Sequence, residues 1–318
     1  MHRATAIHKQ IQKARKIMIV PHQNPDGDAI GSATAFHEYV TDLGKPAVIF
    51  CVTPVNSRLH FVPRGIPVES DPNVFKDPEI DIIVTLDSGD LRYAGIAQHV
   101  KDHSATLINI DHHATNENYG QLNLVIPTAA STTEVLYRYF RHNGIHISQN
   151  MATALLTGLS TDTGNFTNAA TSVSALLVGS ELISSGGNYN LITNNTLKNI
   201  SIGALKLWGR AFSRLQKDER LNLTYTHLTQ ADIKELGVAE NEAEGISNFL
   251  SNLENTSITL ILTEMSDNKI KGSFRTTRND IDVSLMAKKM NGGGHKKAAG
   301  FSADGTIEEV LETILTLA

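Results

Sequence analysis

Ala105-Thr106-Leu107-Ile108-Asn109-Ile110 runs directly into Asp111-His112-His113. A short apolar, β-branched run predicts a buried strand. The polar triplet then falls at the strand's C-terminal end, where open α/β sheets place their ligands. The pattern recurs twice. Lys16-Ile17-Met18-Ile19-Val20 leads into Pro21-His22-Gln23-Asn24-Pro25-Asp26-Gly27-Asp28, and Asp81-Ile82-Ile83-Val84-Thr85-Leu86 leads into Asp87-Ser88-Gly89-Asp90. Between these runs, apolar residues return at helical spacing over 29–43, 135–142, 151–159 and 171–183, and Ser131-Thr132-Thr133-Glu134 has the spacing of a capping box. A Pro-rich connection over 53–78 reads as a turn-rich excursion. Strands alternating with helices predict a doubly wound, mainly parallel-sheet α/β domain over residues 1–188.

The rest of the chain changes character. Asn194 to Arg214 reads as one helix within a helical linker over 189–218. Expected strands at 221–227, 258–263 and 269–275, with helices at 242–250, 281–290 and 307–317, describe a smaller α+β domain over 219–318. Its end carries Asn291-Gly292-Gly293-Gly294-His295-Lys296-Lys297-Ala298-Ala299-Gly300. A glycine run weakens regular structure and points to tight backbone geometry or close approach to a ligand.

Composition narrows the function. The chain has 318 residues, 41% of them hydrophobic and 19% charged, enough to bury two cores. Its 28 basic and 33 acidic side chains leave a net charge of −5, so no global cationic field exists to hold a long duplex. A short anionic substrate met by local positive charge fits this balance. The single cysteine, Cys51, excludes an internal disulfide or a thiolate cluster and reads as a buried strand residue. The N-terminus reads as an amphipathic helix without a signal-peptide core, and no stretch is long and apolar enough to span a bilayer, so a cytoplasmic location without a membrane partner is expected.

Residues following separate parallel strands converge on one sheet edge. His22, Asp26, Asp28, Asp87, Asp111, His112, His113 and Asp162 would therefore share a site, although each alone could be a helix cap, a turn residue or a hydrogen-bonded histidine. Gathered carboxylates repel unless a partner offsets their charge. Divalent cations do so, and this mix of oxygen and imidazole donors suits Mn²⁺, Fe²⁺, Zn²⁺ or Mg²⁺. A two-metal site is a recurrent solution for phosphoryl hydrolysis.

These pieces resemble the motifs of the DHH phosphoesterase superfamily: His22 to Ser32 the first, Asp87-Ser88-Gly89-Asp90 the second, Asp111-His112-His113 the third and Ser160-Thr161-Asp162-Thr163-Gly164 the fourth. Gly292-Gly293-Gly294-His295 with Ala298-Ala299-Gly300 resembles the signature of the associated DHHA1 domain, although Asn291 stands where a fourth glycine is common. Asn tolerates positive φ, so the turn should survive. The resemblance implies two divalent cations, Mn²⁺ first with Mg²⁺, Co²⁺ or Fe²⁺ as alternatives. It gives His22, Asp26 and Asp87 to one, and Asp28, Asp87, His112 and Asp162 to the other. It makes Asp87 a bridge, Asp111 a support for an imidazole and His113 a phosphate-facing group. Arg275 and Arg278, after an expected strand and near Ser273, read from their own chemistry as an anion receptor to which the Gly293 and Gly294 amides add donors, against the plain alternative that Arg278 is solvated surface charge. The resemblance strengthens Arg275 and implies that His295 faces the substrate.

By size and domain pair the chain is similar to the bifunctional oligoribonuclease and 3'-phosphoadenosine 5'-phosphate phosphatase subfamily. Short single-stranded RNA and that nucleotide are the implied partners, and a homodimer is left open. Two alternatives stand beside it: a cyclic or linear dinucleotide phosphodiesterase on the same centre, and a non-hydrolytic nucleotide sensor.

Overall fold

Strands buried on both faces call for a near-continuous apolar run, and residues 17–20 supply one: Ile17, Met18, Ile19 and Val20 are all fully buried. The computed structural model describes residues 2–196, 201–243, 245–251 and 253–317, apart from the side chains of Asn241, His295 and Leu317. The chain divides into two compact units, Met1–Asn199 and Ile200–Ala318.

In the first unit, α1 (His2–Lys13) precedes β1 (Lys16–Pro21), α2 (Gly27–Asp42), β2 (Ala47–Phe50), β3 (Val68–Glu69) and β4 (Ile80–Leu86). Next come α3 (Ala97–Val100), β5 (Thr106–Asp111), β6 (Leu122–Val125), α4 (Thr132–His142), α5 (Gln149–Asp162), α6 (Val173–Ser184) and α7 (Tyr189–Thr196). The sheet order is β3-β2-β1-β4-β5-β6, with every pairing parallel. This is the expected doubly wound architecture. Chain order reverses between β1 and β4, the position at which such sheets open a crevice at their carboxyl ends. Alternation along β1 divides the core: Ile17 and Ile19 pack with α1, α2, α4 and α5, while Met18 and Val20 pack with Phe50, Phe75 and Leu107. The Pro-rich connection holds two short 3-10 turns and the two-residue β3. Cys51 is buried, as its apolar setting predicts.

The second unit contains α8 (Ile202–Ser213), β7 (Gln216–Asp218), β8 (Leu223–Leu228), α9 (Gln230–Leu236), α10 (Ile246–Leu250), β9 (Ile258–Glu264) and β10 (Lys269–Arg275). It ends with α11 (Val283–Lys289), β11 (Gly293–His295), β12 (Ala298–Asp304) and α12 (Ile307–Leu317). Its sheet runs β11-β12-β10-β9-β8-β7 and is antiparallel except for the β8–β9 pair. The fold is α+β, as expected. Among the described residues, no helix is long and apolar enough to cross a membrane.

Two local expectations need correction. The single helix over 194–214 is interrupted: α7 is described as far as Thr196, residues 197–200 lie outside the described residues, and Ser201 takes extended backbone as the N-cap of α8. Its hydroxyl accepts from the Ala204 amide, and such a cap starts a new helix. The glycine-rich stretch, read as irregular, contains a paired strand, because β11 forms a hairpin with β12 across Lys296-Lys297. Asn291 precedes it at φ 57, the positive value anticipated for the residue in that place.

Candidate metal centre

Asp26 caps α2, its Oδ1 accepting from the Asp28 and Ala29 amides at 2.9 and 3.0 Å. Asp28, near the start of the same helix, is fully buried. Its two carboxylate oxygens accept from the Thr132 and Thr133 amides at 2.6 and 2.9 Å. Those amides open α4, where unpaired N–H groups and the helix dipole favour an anion. Gly158 of α5 makes this approach possible: a Cβ there would lie 2.5 Å from Asp28 Oδ1 and 2.5 Å from Thr133 Cγ2. Asp87, just past β4, is held at φ 57, a left-handed conformation rare for a non-glycine residue and common at functional sites. The Thr132 hydroxyl donates to its Oδ1 at 2.9 Å.

Two imidazoles face these carboxylates. His22 Nδ1 lies 2.8 Å from the Gln23 carbonyl and His112 Nδ1 lies 3.3 Å from the Ala129 carbonyl. A carbonyl only accepts, so each Nδ1 carries a proton, and Nε2 is left as the atom that can hold a cation once it is deprotonated. His22 Nε2 is 3.7 Å from Asp26 Oδ1 and 3.6 Å from Asp87 Oδ2. His112 Nε2 is 3.6 Å from Asp87 Oδ1 and 3.4 Å from Asp162 Oδ2. Two triads result, His22–Asp26–Asp87 and Asp28–His112–Asp162, each with donor atoms within 4.8 Å of one another. Asp87 joins them by turning one oxygen to each histidine.

His113 sits beside the triads, with Nδ1 2.7 Å from Asp111 Oδ1 and 3.6 Å from Asp87 Oδ1. Asp111 is close enough to count as a donor, but its oxygens are occupied. Oδ1 also accepts from the His112 amide at 2.7 Å, and Oδ2 accepts from Asn116 Nδ2 at 2.6 Å. Its geometry is that of an orienting group.

Electrostatics make the cluster hungry for positive charge. Burial, and then the neighbouring Asp87, push Asp28 up to about 8. Burial and Asp26 push Asp87 up to about 6, and burial with the surrounding carboxylates, Asp28 first, raises Asp162 well above the usual range. Burial opposes the charged forms of His22 and Asp26 too, but their attraction across 3.7 Å prevails, with Asp87 adding to it on His22, lifting His22 to about 9 and lowering Asp26 to about 2. In the same way the Asp111 bond overcomes burial and raises His113 to about 9. Protons are taken up where anions are crowded, and oxygen and imidazole donors at these positions fit divalent cations such as Mn²⁺.

Several supporting residues escape sequence reading. Thr132, Thr133 and Asn116 act only through the folded arrangement. Gly158 carries a faint signal, a glycine inside a helical pattern. Tyr93 stacks on His22 with ring centroids 4.8 Å apart, and nothing in the chain's periodicity marks it. The expected capping box is displaced: Ser131 accepts from the Glu134 amide, but the Glu134 carboxylate reaches the Ala130 amide instead of that of Ser131.

The second unit groups the other expected contacts by register. Ser273 and Gly293 both pair with Gly300, and Arg275 and His295 both pair with Ala298. Ser273 and Arg275 thus share one face of β10, with small residues between them and β11. A Cβ on Gly293 would meet nothing within 4 Å, so packing within the unit does not require glycine there. Gly294, at φ 137, is held by backbone geometry. Arg278 is tied to Asp280 by bonds of 3.0 and 2.7 Å in an exposed ion pair, the arrangement of solvated surface charge.

A crevice of this kind on a doubly wound sheet, followed by an α+β unit ending in a glycine-rich hairpin, has known counterparts. Residues 16–159 match the DHH family, N-terminal domain, and residues 222–318 match the DHHA1 domain. The chain belongs to the DHH family and is a hydrolytic enzyme. Among its relatives, a Thermus thermophilus protein named bifunctional oligoribonuclease and PAP phosphatase NrnA is 31% identical over 304 residues, covering 94% of this chain and 89% of its own. The Bacillus subtilis protein of the same name is 25% identical over 307 residues, covering 94% and 92%. The crystal structure of an exopolyphosphatase-related protein from Bacteroides fragilis superposes with a TM-score of 0.92 at 27% identity, covering 99% of this chain and 96% of the other.

Proposed function

We propose that this enzyme is a metal-dependent phosphoesterase that hydrolyses short oligoribonucleotides to nucleoside monophosphates and removes the 3'-phosphate of 3'-phosphoadenosine 5'-phosphate. The observation that carries the reading is the pair of triads meeting at Asp87, with its two oxygens turned to different histidines. His22, Asp26 and Asp87 would hold one divalent cation, and Asp28, Asp87, His112 and Asp162 the other. When bound, such a pair would supply an acidified water and positive charge for the phosphate oxygens. The names of the NrnA relatives support the substrate class.

The chain's own groups do the remaining work. Gln23 and Ala129 fix the His22 and His112 tautomers, and the first amides of α4 anchor Asp28. His113, kept protonated by Asp111, offers an N–H and a positive charge to a phosphate oxygen as negative charge develops there. In the second unit, Arg275 with Ser273, Gly293, Gly294 and His295 would receive the remaining nucleotide, a guanidinium fork matching phosphate oxygens. Arg278 contributes less, because Asp280 already neutralises it.

The test is a time course on 5'- and 3'-labelled RNAs of two to five nucleotides, run beside 3'-phosphoadenosine 5'-phosphate, pApA and c-di-AMP with added Mn²⁺. The proposal expects monophosphates from the RNAs and loss of the 3'-phosphate from the mononucleotide. Strong preference for the cyclic dinucleotide would replace it with the dinucleotide phosphodiesterase reading, and binding without cleavage would replace it with the sensor.

A further inference from the structure

Arginines in the second unit usually meet a carboxylate. Arg210 and Arg214 pair with Asp232, Arg220 with Asp218 and Arg278 with Asp280. Arg275 differs. Its Nε donates to Asn248 Oδ1 at 3.1 Å and its Nη1 to the Phe274 carbonyl at 2.9 Å, both neutral acceptors. Among the described residues no carboxylate forms an ion pair with it. Burial draws its pKa down, with no acidic neighbour to offset the shift. A half-buried guanidinium held by neutral oxygens keeps its full charge and points its remaining N–H donors elsewhere.

Asn248 is well placed to set that geometry. It lies on α10, which is anchored by the buried Ile246 and Leu250 against Leu207, Ala211 and Ile261. A carboxylate in its place would accept the same bond and neutralise the fork. We propose that Asn248 is a positioning residue for the anion-binding face of the second unit: it aims Arg275 at a nucleotide phosphate while leaving its charge uncompensated. This rests on the reading of Arg275 as a phosphate receptor.

The decisive variant is Asn248→Asp, with Asn248→Ala and Arg275→Ala alongside. Binding of AMP to the full chain is measured calorimetrically in EDTA, so that hydrolysis and metal loading play no part. Thermal stability and the kinetics of dinucleotide cleavage are followed in parallel. Asn248→Asp should weaken AMP binding at least about tenfold, the size of one charge-assisted contact, without lowering Tm. KM should rise by a similar factor while kcat changes much less, and Asn248→Ala should fall between wild type and Asp. Wild-type AMP affinity in Asn248→Asp would overturn the proposal, as would reduced binding that merely tracks a lowered Tm. Unchanged affinity in Arg275→Ala, or no AMP binding by the wild type, would remove its basis. If AMP binding responds as expected but no phosphoester is cleaved, the positioning role stands and the phosphoesterase reading falls.

Discussion

Asp111 shows how little a residue's identity says until its hydrogen bonds are counted. It lies among the metal-competent groups, yet its donors are the His112 amide, His113 Nδ1 and Asn116 Nδ2. Replacing it with Asn would set an amide donor against one of these donors and remove the charge that supports the His113 imidazolium. Asp111→Asn should therefore lower the His113 pKa from its position near 9, followed by NMR titration of metal-free protein. It should cost roughly 10- to 100-fold in activity, as loss of a ligand-orienting partner commonly does. An unshifted His113 would show that Asp87 and Asp28 suffice to hold its proton.

At the scale of elements, the packing of α5 against α2 and α4 sets where Asp28 sits. Gly158→Ala should destabilise the fold by about 1–3 kcal/mol, since the added methyl must displace Asp28 or Thr133, and should weaken Mn²⁺ binding in the same protein. Gly293→Ala makes the contrast: its Cβ enters open space, so Tm should hold while KM rises. Parallel strands were readable because burial on both faces demands an unbroken apolar run, and the polar groups at their ends were readable for the same reason. What escaped was structure carried by the backbone. β11 is built from glycines that pair only because β12 returns beside them, and the break at Ser201 depends on one hydroxyl reaching Ala204. Thr132 serves Asp87 from an element 45 residues away, and Asn116 reaches Asp111 only because the loop after β5 folds back on itself, so no periodicity marks either.

Across the whole molecule, the parallel sheet gathers anions that ordinary solvent would separate, and protons offset part of their charge. With Asp87 raised to about 6, Asp28 to about 8 and His22 to about 9, cation binding must release protons. Affinity for Mn²⁺ should therefore rise between pH 6 and 8, roughly tenfold or more. Calorimetry in buffers of different ionisation enthalpy checks both the rise and the proton release, and a flat profile would mean that the groups are already deprotonated in the free protein. The central claim is that both triads act together through Asp87. Its most direct test is the titration of metal-free protein with Mn²⁺ while cleavage of a labelled dinucleotide is followed. Activity should emerge as the second equivalent fills and stay at least about 100-fold lower in Asp87→Asn, whose side chain keeps the shape but loses the bridging charge. Full activity at one equivalent, or in EDTA, would contradict the account.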